Sequence, residues 1–220
     1  MAKQDRAIRT RRKILEAAAQ VFDREGYQAA TIAQILHVAG VTKGALYFHF
    51  ASKEDLAYGV LSEQRNEDAV RPQPVKLQEL VDSGSVLAHR LRTDSLVRAS
   101  IRLTLDQQAQ GLDRQGPFRV WSTSNRQILE AARSQGELLP HVDPAEAAEL
   151  CVAAFAGMQL MSVTLSNYED LPHRLSVFQR LLLPSIAVPS VLASLDLSED
   201  RGGRLIAEAQ ARTPADAVLP

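Results

Sequence analysis

Apolar residues recur at every third or fourth position along almost the whole chain, which is the spacing of amphipathic helices. Near the start, Ile8, Leu15 and Phe22 fall on one side of such a helix, while Arg6 and Arg9 fall on the other. The sequence has no sustained alternation of apolar and polar residues of the kind that indicates strands. The pattern therefore predicts an all-α protein.

Capping residues predict four helices near the start of the chain. Gly26 accepts a positive φ and ends the first helix. Thr31 begins a short second helix that ends at Gly40, because a threonine hydroxyl accepts hydrogen bonds from the free N–H groups of a first turn. Thr42 begins a third short helix in the same way, and Ser52 begins a fourth.

Longer amphipathic segments follow after Pro72 and Pro74. A Gly- and Pro-containing segment, 111–117, interrupts them and is predicted to be a loop. The apolar spacing predicts helices over about 75–92, 94–109, 118–135, 144–166 and 170–187, and a short helix over 198–211.

The formal net charge of −1 averages two unlike parts of this 220-residue chain. Residues 1–53 hold nine Lys and Arg against four acids, a charge of +5, and residues 54–220 carry −6. A basic segment on an acidic body indicates contact with a polyanion, although a solvated charged surface explains the charge equally well. We expect two domains, 1–53 and 54–220.

The cysteine content and the start of the chain bear on the compartment. The single cysteine, Cys151, cannot form an internal disulfide, which fits a reducing environment. No uninterrupted apolar run approaches the ~20 residues that span a bilayer. The opening MAKQDRAIRTRR lacks the apolar stretch of a signal peptide. We therefore expect a cytoplasmic protein with no membrane partner.

The two short helices that begin at Thr31 and Thr42 have the spacing of a helix-turn-helix, in which the second helix enters the major groove of DNA. The second helix combines a long cation, small residues that let the backbone approach base edges, and donors for phosphate oxygens. Phe48 and Phe50 are expected in the core. The candidate DNA contacts are Thr31, Thr42, Lys43, Gly44, Ala45, Tyr47, His49 and Lys53.

The run GVTKGALYFHFASKEDL, preceded by the capped helix from Thr31, resembles the DNA-binding head of TetR-family repressors. This resemblance implies a helix-turn-helix domain followed by a helical ligand-binding and dimerisation domain. It also implies the same eight DNA contacts, and a homodimer that binds a palindromic operator and leaves it when a small molecule binds. The helices over 144–166 and 170–187 would form the dimer interface usual in the family.

Three further segments, MAKQDRAIRTRRKILEAAAQVF, DQQAQGLDRQGPF and LPSIAVPSVLA, are similar to the γ-butyrolactone autoregulator receptors of actinomycetes. The similarity implies a γ-butyrolactone ligand, a signal of the quorum-sensing type, and regulation of antibiotic biosynthesis. In those receptors a tryptophan after the 111–117 loop helps line the ligand cavity, and Trp121 occupies that place.

Other candidate ligand contacts are less specific. Each of them, like Trp121, has the alternative of an ordinary packing or solvated residue. Gln64 is a candidate by the same resemblance, and the long apolar helix supplies a methionine with neighbouring polar groups. The candidates besides Trp121 are Gln64, Met158, Gln159, Ser162 and Thr164.

The sequence shows no catalytic or metal-binding constellation. The histidines form no HExxH-like pair, no phosphate-binding GxxxxGK[ST] loop is present, and Gly202-Gly203 is assigned to a polar tail. We expect no enzymatic activity, no metal and no cofactor. Two alternatives remain open: a TetR-type pseudo-receptor for an antibiotic or another hydrophobic metabolite, and a helical-bundle enzyme or adaptor that does not bind DNA.

Overall fold

The computed structural model describes residues 2–62, 70–105 and 115–212. Within these ranges the only strand-like pairing is an isolated bridge between Leu138 and Ala187. The predicted all-α fold is confirmed. The eleven helices of the described ranges are α1 (Ala2–Ala29), α2 (Ile32–Ala39), α3 (Lys43–His49), α4 (Lys53–Ser62), α5 (Lys76–Thr93), α6 (Ser95–Leu105), α7 (Gln115–Ser134), α8 (Pro144–Ser166), α9 (Leu171–Ile186), α10 (Pro189–Leu192) and α11 (Arg201–Arg212).

The chain divides into two compact units, which we call the head and the body. The head comprises Met1–Arg65 and Thr93–Pro117, and the body comprises Asn66–Arg92 and Phe118–Pro220. The segment 1–53 therefore lies entirely within the head, which also includes α4 and α6.

The two short helices of the head begin at the predicted caps. Thr31 Oγ1 accepts a hydrogen bond from the Gln34 N–H at 3.2 Å, and Gln34 Oε1 accepts one from the Thr31 N–H at 2.8 Å. This reciprocal pair is a capping box. Thr42 Oγ1 accepts from the Ala45 N–H at 3.2 Å and caps α3.

The other boundaries in the head also follow the sequence. Ser52 Oγ accepts a hydrogen bond from the Asp55 N–H at 3.0 Å at the start of α4. Gly26 interrupts α1 with φ 76° and ψ 166°. Gly40 ends α2 in the left-handed conformation, φ 57° and ψ 41°, which residues with a Cβ adopt only with strain.

The core of the head is built around the middle of α1. Ile14, Leu15 and Phe22 of α1 are almost completely buried. They share one cluster with Leu46 of α3 and Leu103 of α6. One helix therefore supports α3 and joins it to the rest of the head.

In the body, one apolar cluster joins the start of α5, the end of α7, the start of α8 and the end of α9. It includes Leu77, Leu129, Ala148 and Leu183, all almost completely buried. Beside this cluster, the buried Glu137 carboxylate accepts hydrogen bonds from the first two N–H groups of α5, each at 2.8 Å. A distant side chain therefore satisfies donors that a local cap would otherwise satisfy.

Helix α7 begins at Gln115, so residues 115–117 are helical and the prediction of a loop is wrong there. Pro117 is compatible with a first turn, because the first four N–H groups of a helix have no partner within that helix. Residues 106–114, which include the end of the predicted 94–109 helix and the rest of the predicted loop, lie outside the described residues.

Helix α8 has the length and composition of a membrane-spanning helix, although only 17% of its most apolar stretch is buried within the chain. The sequence-based expectation of no such segment missed it, because Gln159 and Ser162 interrupt the apolar run. Both of these polar residues are buried, so α8 has an inward polar side and an outward apolar side.

Helix α11 docks on α5 through a buried ion pair and a close backbone approach. Arg201 Nε and Nη2 each donate to a carboxylate oxygen of Asp82 at 2.8 Å, and Asp82 is fully buried. A Cβ built on Gly202 would overlap the backbone carbonyl of Ser85. The assignment of Gly202-Gly203 to a polar tail is therefore wrong: the glycines let two helices touch.

We expect Gly202→Ala to destabilise the protein by about 1–3 kcal/mol, because a methyl group has no space against a fixed backbone. Gly203→Ala is the matched control. Its Cβ would lie 3.2 Å from His89 Nδ1, and the His89 side chain can move. Urea unfolding of both variants measures the difference, and equal midpoints would show that α11 does not depend on this contact.

Candidate functional site

One side of α3 is fixed in the core of the head and the other is free. Leu46 is fully buried, Phe50 at the C-cap is 2% exposed, and Val41 in the preceding turn packs partly against the same cluster. A helix this short cannot rotate while two of its side chains are held. The outward side of α3 is therefore presented in one orientation.

The predicted DNA contacts on α2 and α3 largely lie on this outward side. Thr31, Thr42, Lys43, Gly44 and Tyr47 are exposed. Ala45 and His49 are half-buried at its margin. Six of the eight predicted contacts therefore lie on α3 or at its N-cap, and Thr31 lies at the N-cap of α2.

Two features make this surface suitable for close approach by another molecule. A Cβ on Gly44 would meet no atom within 4 Å, so packing inside the chain does not require a glycine there. The Lys43 ammonium lies 5.8 Å from the centroid of the Tyr47 ring, so a cation and a phenol hydroxyl stand side by side. At Gly44 the surface has no side chain, and the donor groups of Lys43 and Tyr47 lie on the same short helix.

Phe48 contradicts the expectation of a core residue, since its side chain is 78% exposed. It lies two positions after Leu46, about 200° around the helix, and therefore points away from the core. Helical geometry could have located it. The His49 ring packs edge-on against the Phe48 ring at 5.0 Å, so both belong to the outward surface.

Lys53 has a different environment from the other predicted contacts. Its ammonium donates to the carbonyl oxygens of Tyr27, Gln28 and Ala30 at 2.8, 3.3 and 2.9 Å. It also lies 4.6 Å from the centroid of the Tyr27 ring. Burial lowers the pKa of Lys53, and the carbonyls and the ring offset that cost. All three of its donors hold the end of α1.

The predicted ligand contacts of the body differ in their exposure and in their hydrogen bonds. Trp121 on α7 and Met158 on α8 are half-buried, whereas Thr164 is exposed and donates to the Leu160 carbonyl at 2.8 Å. Ser162 is fully buried, and its hydroxyl donates to Asp170 Oδ1 at 2.5 Å. Gln64 lies outside the described residues.

Among the predicted ligand contacts that the structure describes, Gln159 has a buried side-chain oxygen that accepts no hydrogen bond. Its side chain is 4% exposed, and among the described residues its Oε1 is the buried side-chain polar atom that lacks a hydrogen-bond partner. A buried acceptor without a partner costs about 1–3 kcal/mol. A bound molecule with a hydroxyl or N–H group would remove this cost.

An apolar ring on α8 lies close to Gln159 in the helix. Ala148, Phe155, Gln159 and Ser162 recur at helical spacing and therefore share the inward face. Three of them are buried, but the large apolar Phe155 between them is only half-buried. Part of the Phe155 side chain is therefore left uncovered one helical turn from the unpartnered amide oxygen.

Trp121 lies beyond the same apolar cluster of the body. It is about 12 Å along α7 from Leu129, and Gln159 is about 16 Å along α8 from Ala148. Leu129 and Ala148 belong to that cluster, so both helices carry their candidate residues away from it. Trp121 and Gln159 are therefore candidates for one apolar site with a polar end.

The titratable groups of the described residues offer neither an activated thiol nor a metal site. Burial raises the pKa of the Cys151 thiol to about 11, so the nucleophilic thiolate is scarce at neutral pH. Among the described residues, no group of three or more His, Cys, Asp or Glu could hold a metal ion.

Comparison with known proteins agrees with this arrangement. The family described as bacterial regulatory proteins, tetR family, matches residues 14–58. The A-factor receptor protein of Streptomyces griseus is 42% identical over 216 residues, which cover 98% of this chain and 76% of that protein. Full-length TylP, a TetR regulator from Streptomyces fradiae, is 46% identical with a TM-score of 0.86, covering 93% of this chain and 99% of that one. A γ-butyrolactone receptor described as ArpA-like is 29% identical with a TM-score of 0.67, covering 94% of this chain and 100% of that one.

The chain therefore belongs to the TetR family of bacterial transcriptional regulators. It is a helix-turn-helix DNA-binding repressor similar to the A-factor receptor over nearly its full length, and it is not an enzyme. The predictions of the family and of a non-catalytic protein are confirmed. The alternative of a helical bundle that does not bind DNA is wrong.

The different environments of Lys43 and Lys53 allow DNA binding and stability to be tested separately. We expect Lys53→Met to lower the free energy of unfolding by about 1–2 kcal/mol, because it removes charge-assisted hydrogen bonds to the end of α1. Lys43→Met, whose side chain is exposed, should leave unfolding unchanged and weaken duplex binding about tenfold. Urea unfolding and fluorescence anisotropy measure the two effects. If Lys53→Met weakened DNA binding without affecting stability, Lys53 would be a phosphate contact instead.

Proposed function

We propose that this protein is a homodimeric repressor that reads a palindromic operator with α3 and releases it when a small hydrophobic ligand, of the γ-butyrolactone type, enters the body. The observation that supports operator binding is the outward side of α3, which the buried Leu46 holds in one orientation. The observation that supports ligand binding is the buried, unpartnered amide oxygen of Gln159.

Each exposed group of the head has a matching group on DNA. Lys43 reaches base edges, where a guanine offers two acceptors, and Gly44 and Ala45 let the backbone approach a thymine methyl. Thr42 and Tyr47 donate to phosphates, which fixes the register. His49 completes the proposed phosphate contacts. The Thr31 hydroxyl donates to Gln34 Oε1 at 2.7 Å and would exchange that bond for one to a phosphate. Lys53 leaves this set and acts by positioning the end of α1.

The outward side of α8 supports a dimer. Leu150, Leu160, Met161 and Leu165 are each more than half exposed, and Leu181 of the adjacent α9 is 77% exposed. A second copy of this chain, related by a two-fold axis, would cover the apolar face and match a two-fold symmetric operator. Burial between protein chains, not in lipid, then accounts for the apolar composition of α8, and the repressor works in the cytoplasm.

An apolar site with one unpartnered acceptor suits a small amphiphile with a hydrogen-bond donor. The Trp121 and Phe155 rings supply apolar surface, and Gln159 Oε1 accepts from the ligand. The relative described as the A-factor receptor and the solved γ-butyrolactone receptor support a ligand of that class. Met158 is half-buried beside Gln159 and is proposed to extend the apolar surface.

A second candidate keeps the same mechanism and changes the ligand. TylP, at 46% identity, is described as a TetR regulator, whereas the solved structure described as a γ-butyrolactone receptor is 29% identical. The body therefore also fits a pseudo-receptor that binds an antibiotic or another hydrophobic metabolite with a donor group.

Release from DNA requires a ligand that distinguishes two conformations. A ligand that bound both equally would shift neither population, whatever its affinity. The ligand must therefore prefer the conformation in which the two α3 helices do not match successive major grooves, about 34–36 Å apart. Regulation of antibiotic biosynthesis is the proposed consequence.

The ligand site can be tested with intrinsic fluorescence, because Trp121 is the chain's single tryptophan. We expect γ-butyrolactones bearing a hydroxyl and acyl chains of varied length to shift the emission saturably. Gln159→Leu should weaken this binding about tenfold while leaving the stability of the unliganded protein about unchanged, because the amide oxygen it removes lacks a partner. Titration calorimetry checks the affinity.

Thr164→Val is the matched control, since this hydroxyl lies on the exposed side of α8 and should not affect ligand affinity. Unchanged affinity in Gln159→Leu would contradict the proposed polar contact. A wild-type protein that binds duplex DNA but no butyrolactone would favour the pseudo-receptor.

A further inference from the structure

The positive charge of the head is concentrated away from the helices that read DNA. Between Thr31 and Phe50, Lys43 is the single Lys or Arg. Six of the nine basic residues of segment 1–53 lie within the first thirteen residues, where Asp5 is the single acid. The ammonium of Lys53 is bound to carbonyls within the head. Most of the charge in segment 1–53 that could neutralise phosphates is therefore on α1.

The beginning of α1 is exposed wherever its side chains are described. None of the side chains from Arg6 to Lys13 is buried, and Ile8 is 60% exposed. From Arg6 onward the first buried residue is Ile14, and the helix extends about 18 Å from Ala2 to Ile14. A helix that is polar around its circumference gains no stability from packing. The basic arm, as we call residues 2–13, is therefore expected to serve a charged partner.

Arg6, Arg9 and Lys13 form a stripe along this arm, because their spacing of three and four residues places them on one face. Among the described carboxylates, none forms an ion pair with these three residues, whereas Arg12 pairs with Glu16 at 2.9 Å. The stripe keeps its cations available for an external anion.

Two contacts place the C-terminal end of the basic arm, at Arg11 and Lys13, beside the two ends of α3. The Lys13 ammonium lies 3.6 Å from the position that a Cβ on Gly40 would occupy, at the turn before α3. The Arg11 guanidinium lies 5.1 Å from the centroid of the Phe50 ring, at the C-cap of α3. A duplex held against α3 is therefore within reach of the arm.

We propose that the stripe Arg6, Arg9 and Lys13 is a second DNA-binding element that grips the phosphate backbone flanking the major groove read by α3. The proposal rests on DNA binding by α3 and adds a separate site to it. Arginine and lysine contacts to phosphate fix position and raise affinity but carry no sequence information. The arm therefore supplies affinity, and α3 supplies discrimination.

The test is the salt dependence of DNA binding by the full chain with Arg6→Gln and Arg9→Gln combined. Glutamine keeps helix propensity while removing both charges. Each lost phosphate contact lowers the slope of log affinity against log salt by about 0.9, so the slope falls by about 1.8 for each bound head. Between 50 and 200 mM salt, the double variant should therefore lose about twelvefold less affinity per head than the wild type.

Arg24→Gln is the matched control. It lies on the same helix, about five turns after Arg6 and thus on the same face, but about 27 Å further along. We expect it to keep the wild-type slope. Thermal unfolding should be unchanged in all three proteins, because Arg6, Arg9 and Arg24 are exposed.

Two duplexes separate the possible outcomes: one selected by the protein from a random pool, and a scrambled duplex of the same composition. The double variant should lose affinity for both equally. An unchanged slope, or a loss confined to the selected duplex, would overturn the phosphate role of the arm while leaving the proposed repressor intact. If the wild type bound neither duplex, the proposed DNA binding by α3 would be contradicted, and the proposed role of the basic arm with it.

Discussion

A seven-residue helix is too short to keep its shape in water alone, so α3 depends on what its buried side contacts. Leu46 and Phe50 anchor it to the middle of α1, and Gly59 lets α4 approach so closely that a Cβ there would lie 2.9 Å from the Phe50 ring. Lys53 then ties the start of α4 to the end of α1. Helix α1 therefore sets the orientation of the DNA-reading surface, and its basic beginning is positioned by the same contacts.

The body differs from the head in keeping a buried polar atom without a hydrogen-bond partner among the described residues. Several buried polar groups there are satisfied over long distances in sequence, as with Glu137 at the start of α5 and Asp82 with Arg201. Gln159 differs in keeping an unpartnered oxygen beside the half-buried Phe155. In the proposed mechanism, a ligand that donates to this oxygen in only one conformation would shift the population towards that conformation, which is what control of DNA affinity requires.

Local rules predicted the head well, because caps such as Thr31 and Thr42 act within a few residues of their own position. Local rules say less where the deciding partner is distant. The DNA contact of Lys53 stays a prediction, and nothing local reveals that its ammonium also donates to carbonyls some 25 residues earlier. Gly202 was assigned to a tail because its neighbour, Ser85, lies on another helix. Phe48 was different, since its position relative to Leu46 already indicated the outward side.

Operator binding by α3 is proposed to be coupled to a ligand in the body. A mobility shift on a palindromic duplex selected by the protein, titrated with γ-butyrolactones at constant salt, measures this coupling directly. We expect a complex on the full palindrome, much weaker binding to a single half-site, and dissociation at saturating ligand. No complex at moderate salt, or a complex equally tight on the half-site, would contradict it. A complex that neither butyrolactones nor other hydrophobic metabolites release would contradict the coupling.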